Sequence, residues 1–351
     1  MAKRGVMGNG AQRRLLQSGL FARLSLIASA VVFAACAASP SAAETDARKI
    51  IAVGDLHGDY DAYMEILTDA GLVDRRGRWS GDDAVFVQLG DAPDRGPDTR
   101  KIIDHLRKLE TQAERKGGEV VALIGNHEAM NVTGDLRYVT PEEYAAFKDA
   151  RSRRLRSAFF DANKEAFSTF YRKDDPALSD ADVESAFEAD YPLGYIEHRR
   201  AWAPTGDIGA WVVGHDVVRI VNRTLFVHGG MSLDYVGKSV DEINAEAQAA
   251  LAAENAEAEI LYSETSPLWY RGNVKETEEG AAEIDAVLAA FDVDRIVVGH
   301  TPQLKGVTTF YDGKVVAIDT GISDYYGGVQ SYLKIIGDRV TAVNNGEDAG
   351  L

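Results

Sequence analysis

Five short motifs, the first three set directly after short apolar runs, constrain this chain more than any other feature. They read Gly54-Asp55-Leu56-His57-Gly58, Gly90-Asp91-Ala92-Pro93-Asp94-Arg95-Gly96, Gly125-Asn126-His127-Glu128, His228-Gly229-Gly230 and Gly299-His300-Thr301-Pro302. Ile50–Val53, Ala84–Leu89 and Val120–Ile124 are predicted strands, and each runs straight into a motif. Between them, helical spacing over 62–70 (Met64, Ile66, Leu67) and 99–115 (Ile102, Ile103, Leu106, Leu109) predicts helices. Such alternation builds a layered α/β fold. Polar loops at the carboxyl ends of neighbouring strands then gather at one ligand-binding edge.

From about 140 to 209 the pattern changes to charged, aromatic-rich helical stretches, 141–164 and 180–189, which predicts a helical insertion. Its aromatics, Phe147, Phe159, Phe160, Phe167, Phe170 and Tyr171, are expected to form a small core of their own. Strands return at 217–221, 225–227 and 295–298, followed by two hairpins turning at Asp312-Gly313 and Gly337-Asp338. The Ala/Glu-rich segment 249–258 reads as a solvated helix face, and no internal repeat appears.

Lys3, Arg4, Arg13, Arg14 and Arg23 precede an apolar run from Leu24 to Ala35, and Ser41-Ala42-Ala43 offers a small-residue cleavage site. Residues 1–43 therefore read as an export signal, which makes the mature protein exported and periplasmic. An alternative is a lipoprotein signal over 1–35, with Phe33-Ala34-Ala35-Cys36 as its box, despite an atypical Phe, and a lipid anchor on Cys36 as the protein's sole membrane link. Cys36 is the only cysteine, so no disulfide is expected. The net charge is −17, and the segment before residue 44 holds no acidic residue, so the remainder is more acidic still. Nucleic acid is excluded as a partner, because phosphate backbones are held by clustered Lys and Arg.

The motif residues fit phosphoester chemistry. Hydrolysis needs a nucleophile at neutral pH and neutralisation of phosphoryl charge, which two divalent cations about 4 Å apart supply. A carboxylate must hold the cations that close, and Asp91 is the candidate bridge. Asp55 and His57 point towards one metal, while Asn126, His228 and His300 complete the shell of the other. This mixed O/N set suits Mn²⁺ above all, with Fe or Zn²⁺ as alternatives to the oxygen-preferring Ca²⁺ and Mg²⁺. His127 diverges from Asn126 and is the candidate general acid, with Asp94 orienting its imidazole and raising its pKa. Arg95, Arg271 and Asn126 are the candidate phosphate contacts, the arginines through bidentate forks. His105, His198 and His215 lack partners at metal spacing and are expected to be structural.

These residues resemble the metal-dependent phosphoprotein phosphatases of the calcineurin-like metallophosphoesterase superfamily, with the signature GDxHG…GDxxDRG…GNHE…HGG. The segments 126–139, with Asn131, Gly134-Asp135 and Tyr138-Val139, and 319–328, with Asp319-Thr320-Gly321-Ile322 and Tyr325-Tyr326, are most similar to the bacterial-type Shewanella-like protein phosphatases. The resemblance implies an α/β fold, a calcineurin-like β-sandwich flanked by helices, with the metallophosphatase domain spanning 49–345. It implies metal ligands Asp55, His57, Asp91, Asn126, His228 and His300, acid His127 with Asp94, and phosphate contacts Arg95 and Arg271. It also implies hydrolysis of phosphomonoesters by in-line attack of metal-bound hydroxide, on phosphorylated proteins (Ser/Thr or Tyr) or small phosphoesters. The chain departs from the pattern at Ala92-Pro93, at Asp59 where eukaryotic members have Gln, and at Gly299 before His300. None of these removes a ligand. Two alternatives remain at this point: a diadenosine polyphosphate hydrolase or other phosphodiesterase, and a non-catalytic, metal-dependent envelope binding module.

Overall fold

The computed structural model describes residues 48–349 and Leu351. The export-signal region and Cys36 lie outside the described residues. The first half alternates as β1 (Ile50–Val53), α1 (Tyr60–Asp69), β2 (Val85–Gln88), α2 (Thr99–Glu114), β3 (Glu119–Ala122) and α3 (Asn126–Thr133). Six helices follow: α4 (Pro141–Ala146), α5 (Ser152–Ala162), α6 (Lys164–Arg172), α7 (Asp180–Asp190), α8 (Tyr195–Trp202) and α9 (Gly209–Val213). The chain then forms β4 (Val218–Val221), β5 (Thr224–Val227), α10 (Val240–Ala252), α11 (Glu259–Tyr262), α12 (Glu278–Phe291), β6 (Arg295–Val298), β7 (Thr308–Phe310), β8 (Val315–Ala317), β9 (Ser331–Ile336), β10 (Arg339–Asn344) and β11 (Glu347–Ala349).

Two mixed sheets result, ordered β11-β10-β9-β1-β2-β3 and β4-β5-β6-β8-β7. Side chains alternate across each strand, and here both faces are apolar, so every central strand is buried twice. Ile50, Ala52, Val85, Val87 and Leu89 of the first sheet meet Phe226, Val297, Val316 and Ile318 of the second in the sandwich interior. On the opposite face, Ile51, Val53 and Phe86 pack against Tyr63, Leu67, Ile102 and Leu106 of α1 and α2. The outer face of the second sheet does the same with Ile243 and Leu251 of α10 and Ile284 and Val287 of α12. The architecture is a β-sandwich between helical layers.

Several boundaries differ from the sequence reading for identifiable reasons. α1 begins at Tyr60 because Asp59 is its N-cap, accepting the Ala62 N–H at 3.0 Å. The third motif is not a loop: Asn126 and His127 occupy the first turn of α3. The stretch 141–164 is not one helix, because an Asp149–Ser152 turn, with the Asp149 N–H donating to Ser152 Oγ at 2.8 Å, separates α4 from α5. Phe160, Phe167 and Phe187 form a separate small core, whereas Phe147 joins the main one. Within 249–258 the helix stops at Ala252, and Ala250 and Leu251 are buried on the same face as Ile243 and Ala247. Both hairpins form, the second joining Ile336 to Arg339 through Gly337 at φ 56°.

No helix of the described residues is long and apolar enough to cross a membrane. Phe226 is fully buried between the sheets. Phe226→Ala is expected to cost about 3–5 kcal/mol through lost burial and the cavity left behind, read as a lowered midpoint of urea unfolding.

Candidate metal centre and active site

Strand polarity assembles the site. β1, β2 and β3 run parallel in one sheet, and β5, β6 and β8 run parallel in the other. Their carboxyl ends deliver Asp55, Asp91, Gly125, His228, His300 and Asp319 to one edge of the sandwich. The loops are knitted together there. The Leu56 and His57 N–H groups both donate to the Asp91 carbonyl at 3.0 Å, and the Gly299 N–H donates to the His228 carbonyl at 2.8 Å. The His300 N–H donates to Asp55 Oδ1 at 3.1 Å.

All six sequence-predicted ligand residues are buried at this edge. Their ligating atoms form two overlapping groups: His57, Asp91 and His127 in one, and Asp91, His228 and His300 in the other. Asp91 belongs to both. Its Oδ2 lies 3.9 Å from His57 Nε2, and its Oδ1 lies 3.3 Å from His228 Nε2. Asp55 Oδ2 is 3.9 Å from His57 Nε2, so Asp55 flanks the first group. Asn126 turns Oδ1 towards His228 Nε2 at 2.9 Å, while its amide nitrogen faces Met130 Sδ at 3.7 Å.

The donor set fits divalent cations. His57 Nδ1 lies 3.1 Å from the Pro93 carbonyl and His228 Nδ1 lies 2.8 Å from the Leu89 carbonyl. Each carbonyl accepts that N–H and leaves the Nε2 lone pair facing inward, the arrangement that orients metal-bound imidazoles. His228 Nε2 then meets only acceptors, Asn126 Oδ1 and Asp91 Oδ1, so a positive charge belongs among them. A proton fills that role in part: burial would lower the His228 pKa, but Asp91 and Asp55 push it up to about 10. Nearby, burial and His127 push His57 down to about 3, and buried His300 Nε2 has no hydrogen-bond partner among the described residues. Space is reserved as well. A Cβ on Gly125 would lie 2.3 Å from Asp91 Oδ1, and one on Gly299 would lie 2.5 Å from Asp55 Oδ1.

Beside this cluster, His127 Nδ1 and Asp94 Oδ2 are 2.5 Å apart, which turns His127 Nε2 towards Asp91 Oδ2 at 3.7 Å. Burial alone would lower the His127 pKa, but the Asp91 charge and the Asp94 hydrogen bond raise it above the ordinary 6.5. The imidazole is therefore held ready to donate a proton. Arg95 is half-buried beneath three tyrosines: its guanidinium lies 4.5 Å from the Tyr138 ring, 5.0 Å from Tyr325 and 5.2 Å from Tyr326. Tyr325 and Tyr326 thus stand around the Arg95 guanidinium rather than in the core, and Tyr325 is 61% exposed. Arg271 Nη1 donates to the His300 carbonyl at 2.8 Å and to Thr301 Oγ1 at 2.9 Å, which anchors it at the rim.

Sequence reasoning missed the residues that hold this arrangement. The buried Glu128 carboxylate accepts the N–H groups of Asp91 (2.9 Å), Ala92 (2.8 Å) and Gly125 (2.8 Å), clamping the second motif to the third. Its signal was the capping spacing, an acid three residues after the N-cap Gly125. Burial and the Asp91 charge push its pKa up to about 7. Asn131 donates to Asp94 Oδ1 at 2.9 Å and to the His127 carbonyl at 3.0 Å. Asp319 is buried at the end of β8, and burial pushes its pKa up to about 6. His57, Asp91, Asp94, Arg95 and His300 all have positive φ, between 45° and 71°. Such backbone costs about 1–3 kcal/mol per residue and persists only where surroundings enforce it. The other histidines are structural: His105 is bonded to the Gly77 carbonyl (2.7 Å) and His215 to Glu110 (3.0 Å), while His198 is buried away from the metal cluster.

The family model for calcineurin-like phosphoesterases matches residues 48–304. Shewanella-like protein phosphatase 2 of Arabidopsis thaliana is 31% identical over 78% of this chain and 71% of its own length. Shewanella-like protein phosphatase 1 of Plasmodium berghei is 29% identical over 84% of this chain and 74% of its own. A crystal structure of a cold-active protein-tyrosine phosphatase from a psychrophilic Shewanella species superposes with a TM-score of 0.64 at 26% identity, covering 86% of this chain and 80% of that one.

Glu128→Ala would leave three buried N–H groups unpaired, each worth about 1–3 kcal/mol. A fall in melting temperature together with loss of bound metal by elemental analysis is expected. A pH dependence is expected from His127 as the candidate general acid. A general acid must be protonated, so kcat/KM falls as pH rises through its raised pKa. Asp94→Asn removes a negative partner and lowers that pKa, so the alkaline limb of the pH profile moves to lower pH.

Proposed function

The chain is a metal-dependent phosphatase that belongs to the calcineurin-like phosphoesterase family, on its Shewanella-like branch, and from that premise we propose an exported, dinuclear phosphoprotein phosphatase. The observation that carries the dinuclear reading is the Asp91 carboxylate, shared by two buried groups of metal-ligating side chains. Asp55, His57 and Asp91 would hold one cation, and Asp91, Asn126, His228 and His300 the other. When bound, such a pair lowers the pKa of water and neutralises phosphoryl charge. Mn²⁺ is the proposed ion, with Fe or Zn²⁺ as alternatives, because the donor set mixes imidazole with oxygen.

The chain's own residues do the rest. Arg95, among the tyrosines, and Arg271, anchored beside His300, each offer N–H donors for non-bridging phosphoryl oxygens. His127 delivers its Nε2 proton to the ester oxygen as the phosphorus bond to it breaks. Asp94 holds the ring through Nδ1–H and stabilises the imidazolium, whose charge is lost as Nε2 gives up its proton. In this assignment the pairing of His127 with Asp91 and His57 is that of an acid beside the metals, because its Nδ1 is committed to Asp94.

Phosphotyrosine is the proposed acceptor residue among the three. Tyr138, Tyr325 and Tyr326 wall the space around Arg95 with aromatic faces, and rings pack well on rings. The Shewanella neighbour, called a protein-tyrosine phosphatase, supports this reading. A signal over residues 1–43, or 1–35 with a lipid anchor on Cys36, supports a periplasmic address.

A panel of phosphotyrosine, phosphoserine and phosphothreonine peptides beside dinucleotide polyphosphates, assayed on the Mn²⁺-loaded mature chain, tests the substrate. Preferential phosphotyrosine release is expected, and dinucleotide cleavage without peptide activity overturns the reading. In the same assay His127→Asn is expected to lower kcat by about 10²–10⁴. Elemental analysis should give two ions per wild-type chain and close to none for Asp91→Asn, whereas retention of one ion in Asp91→Asn would contradict the shared ligand.

A further inference from the structure

Two ties run from the helical insertion to the acid pair, and the chemistry above uses neither. The first is Arg199 of α8. Its Nη1 donates to the Asn131 carbonyl and its Nη2 to the Val132 carbonyl at 3.3 Å. These carbonyls close the carboxyl end of α3, where a cation meets the negative end of the helix dipole. From there the connection continues through one side chain. Asn131 bonds Asp94 Oδ1 and the His127 carbonyl, and Asp94 Oδ2 holds His127 Nδ1.

The second tie is Glu143 of α4. Its side chain is fully buried and faces the Thr99 hydroxyl and the backbone amide of Asp94. His198 Nε2 of α8 lies 3.6 Å from its Oε1. The polar side-chain atoms of Glu143, His198 and the Thr99 hydroxyl have no well-formed hydrogen bond among the described residues. Buried polar groups left in that condition are costly, and an apolar set would pack there without penalty. Of these, Glu143 abuts the Asp94-Arg95 turn, whose residues stand at φ 71° and 66°. A backbone in that region is retained only when its surroundings over-determine it. The insertion is itself fixed, because Phe147 and Trp202 pack into the main core on either side of His198.

We propose that the insertion is part of the catalytic machinery, with Glu143 and Arg199 acting as positioning residues that aim His127 Nε2 at the leaving oxygen. Arg199 fixes the end of α3 that carries Asn131, and Glu143 fixes the turn that carries Asp94. Neither touches a metal ligand or the phosphoryl group. The consequence concerns one step alone: protonation of the leaving group suffers when either tie is cut, while metal binding and phosphate binding do not. Glu143 acts by shape and polarity rather than charge, since burial and the Asp94 carboxylate hold its carboxyl well above the usual range.

This inference rests on reading His127 as the general acid, and leaving-group dependence separates the two. The Mn²⁺-loaded mature chain is assayed on an alkyl phosphomonoester, which needs a proton on departure, and on p-nitrophenyl phosphate, which does not. Glu143→Ala and Arg199→Met are expected to lower kcat on the alkyl ester by about tenfold to a hundredfold, with little change on the nitrophenyl ester, in KM or in metal content. Glu143→Gln is expected to keep near wild-type turnover on both. Equal losses on the two esters, or loss of metal, would make the ties merely structural and overturn the proposal. If Glu143→Ala does not fold, Arg199→Met decides by the same comparison. His127→Asn is run alongside. If it shows no leaving-group dependence, the acid assignment has failed. If it does and the two insertion variants do not, the proposal has failed while that assignment stands.

Discussion

Buried carboxylates and imidazoles cannot crowd one edge of a sandwich unless positive charge is shared among them. Asp55, Asp91, Asp319 and Glu128 lie close enough to perturb one another, and burial penalises every ionised one. Asp91 is the exception. Burial would raise its pKa, but His228 and His127 hold it well below the ordinary range, so it stays ionised at the centre of the cluster. Its neighbours adjust to it: His228 and His127 shift up, while Asp55 is pushed up by burial and by Asp319. The fold is arranged so that this one carboxylate is reached from both sheets.

Backbone carries much of that arrangement. The Asp91 carbonyl accepts the two amides of the first motif, and its own amide is taken by Glu128. Its carboxylate also accepts the His127 N–H at 2.9 Å. Side chains facing the cluster are thereby fixed through main-chain bonds, which vary little with surface sequence. The tyrosines around Arg95 lie outside this frame. In the proposed reading they carry the substrate choice, on residues that can change without disturbing the metal ligands.

The strand-to-motif junctions were legible because apolar runs of four to six residues ended abruptly at Gly-Asp or Gly-Asn. Asp55, Asp91 and Asn126 could be gathered at one edge for that reason, and the hairpin turns followed from Asp-Gly and Gly-Asp pairs. Local pattern did not disclose whether a motif was loop or helix, so α3 was missed, since Asn126-His127-Glu128 is polar and gives no apolar stripe. The clamping role of Glu128 was not legible, because it depends on amides 36 and 37 residues away. Arg199 and Glu143 were invisible for the same reason. Each looks like an ordinary charged residue on a charged helix until the insertion is folded against the turn it meets.

The bond between the His300 amide and Asp55 joins residues separated by 245 positions. Nearly the whole described chain must therefore be in place before this corner closes, and loops that long are slow to shut. Cations that prefer the completed corner stabilise only the finished protein and leave shorter, partly ordered chains without that gain. An ion held at this corner would thus join the protein last and add its stability to the finished fold alone.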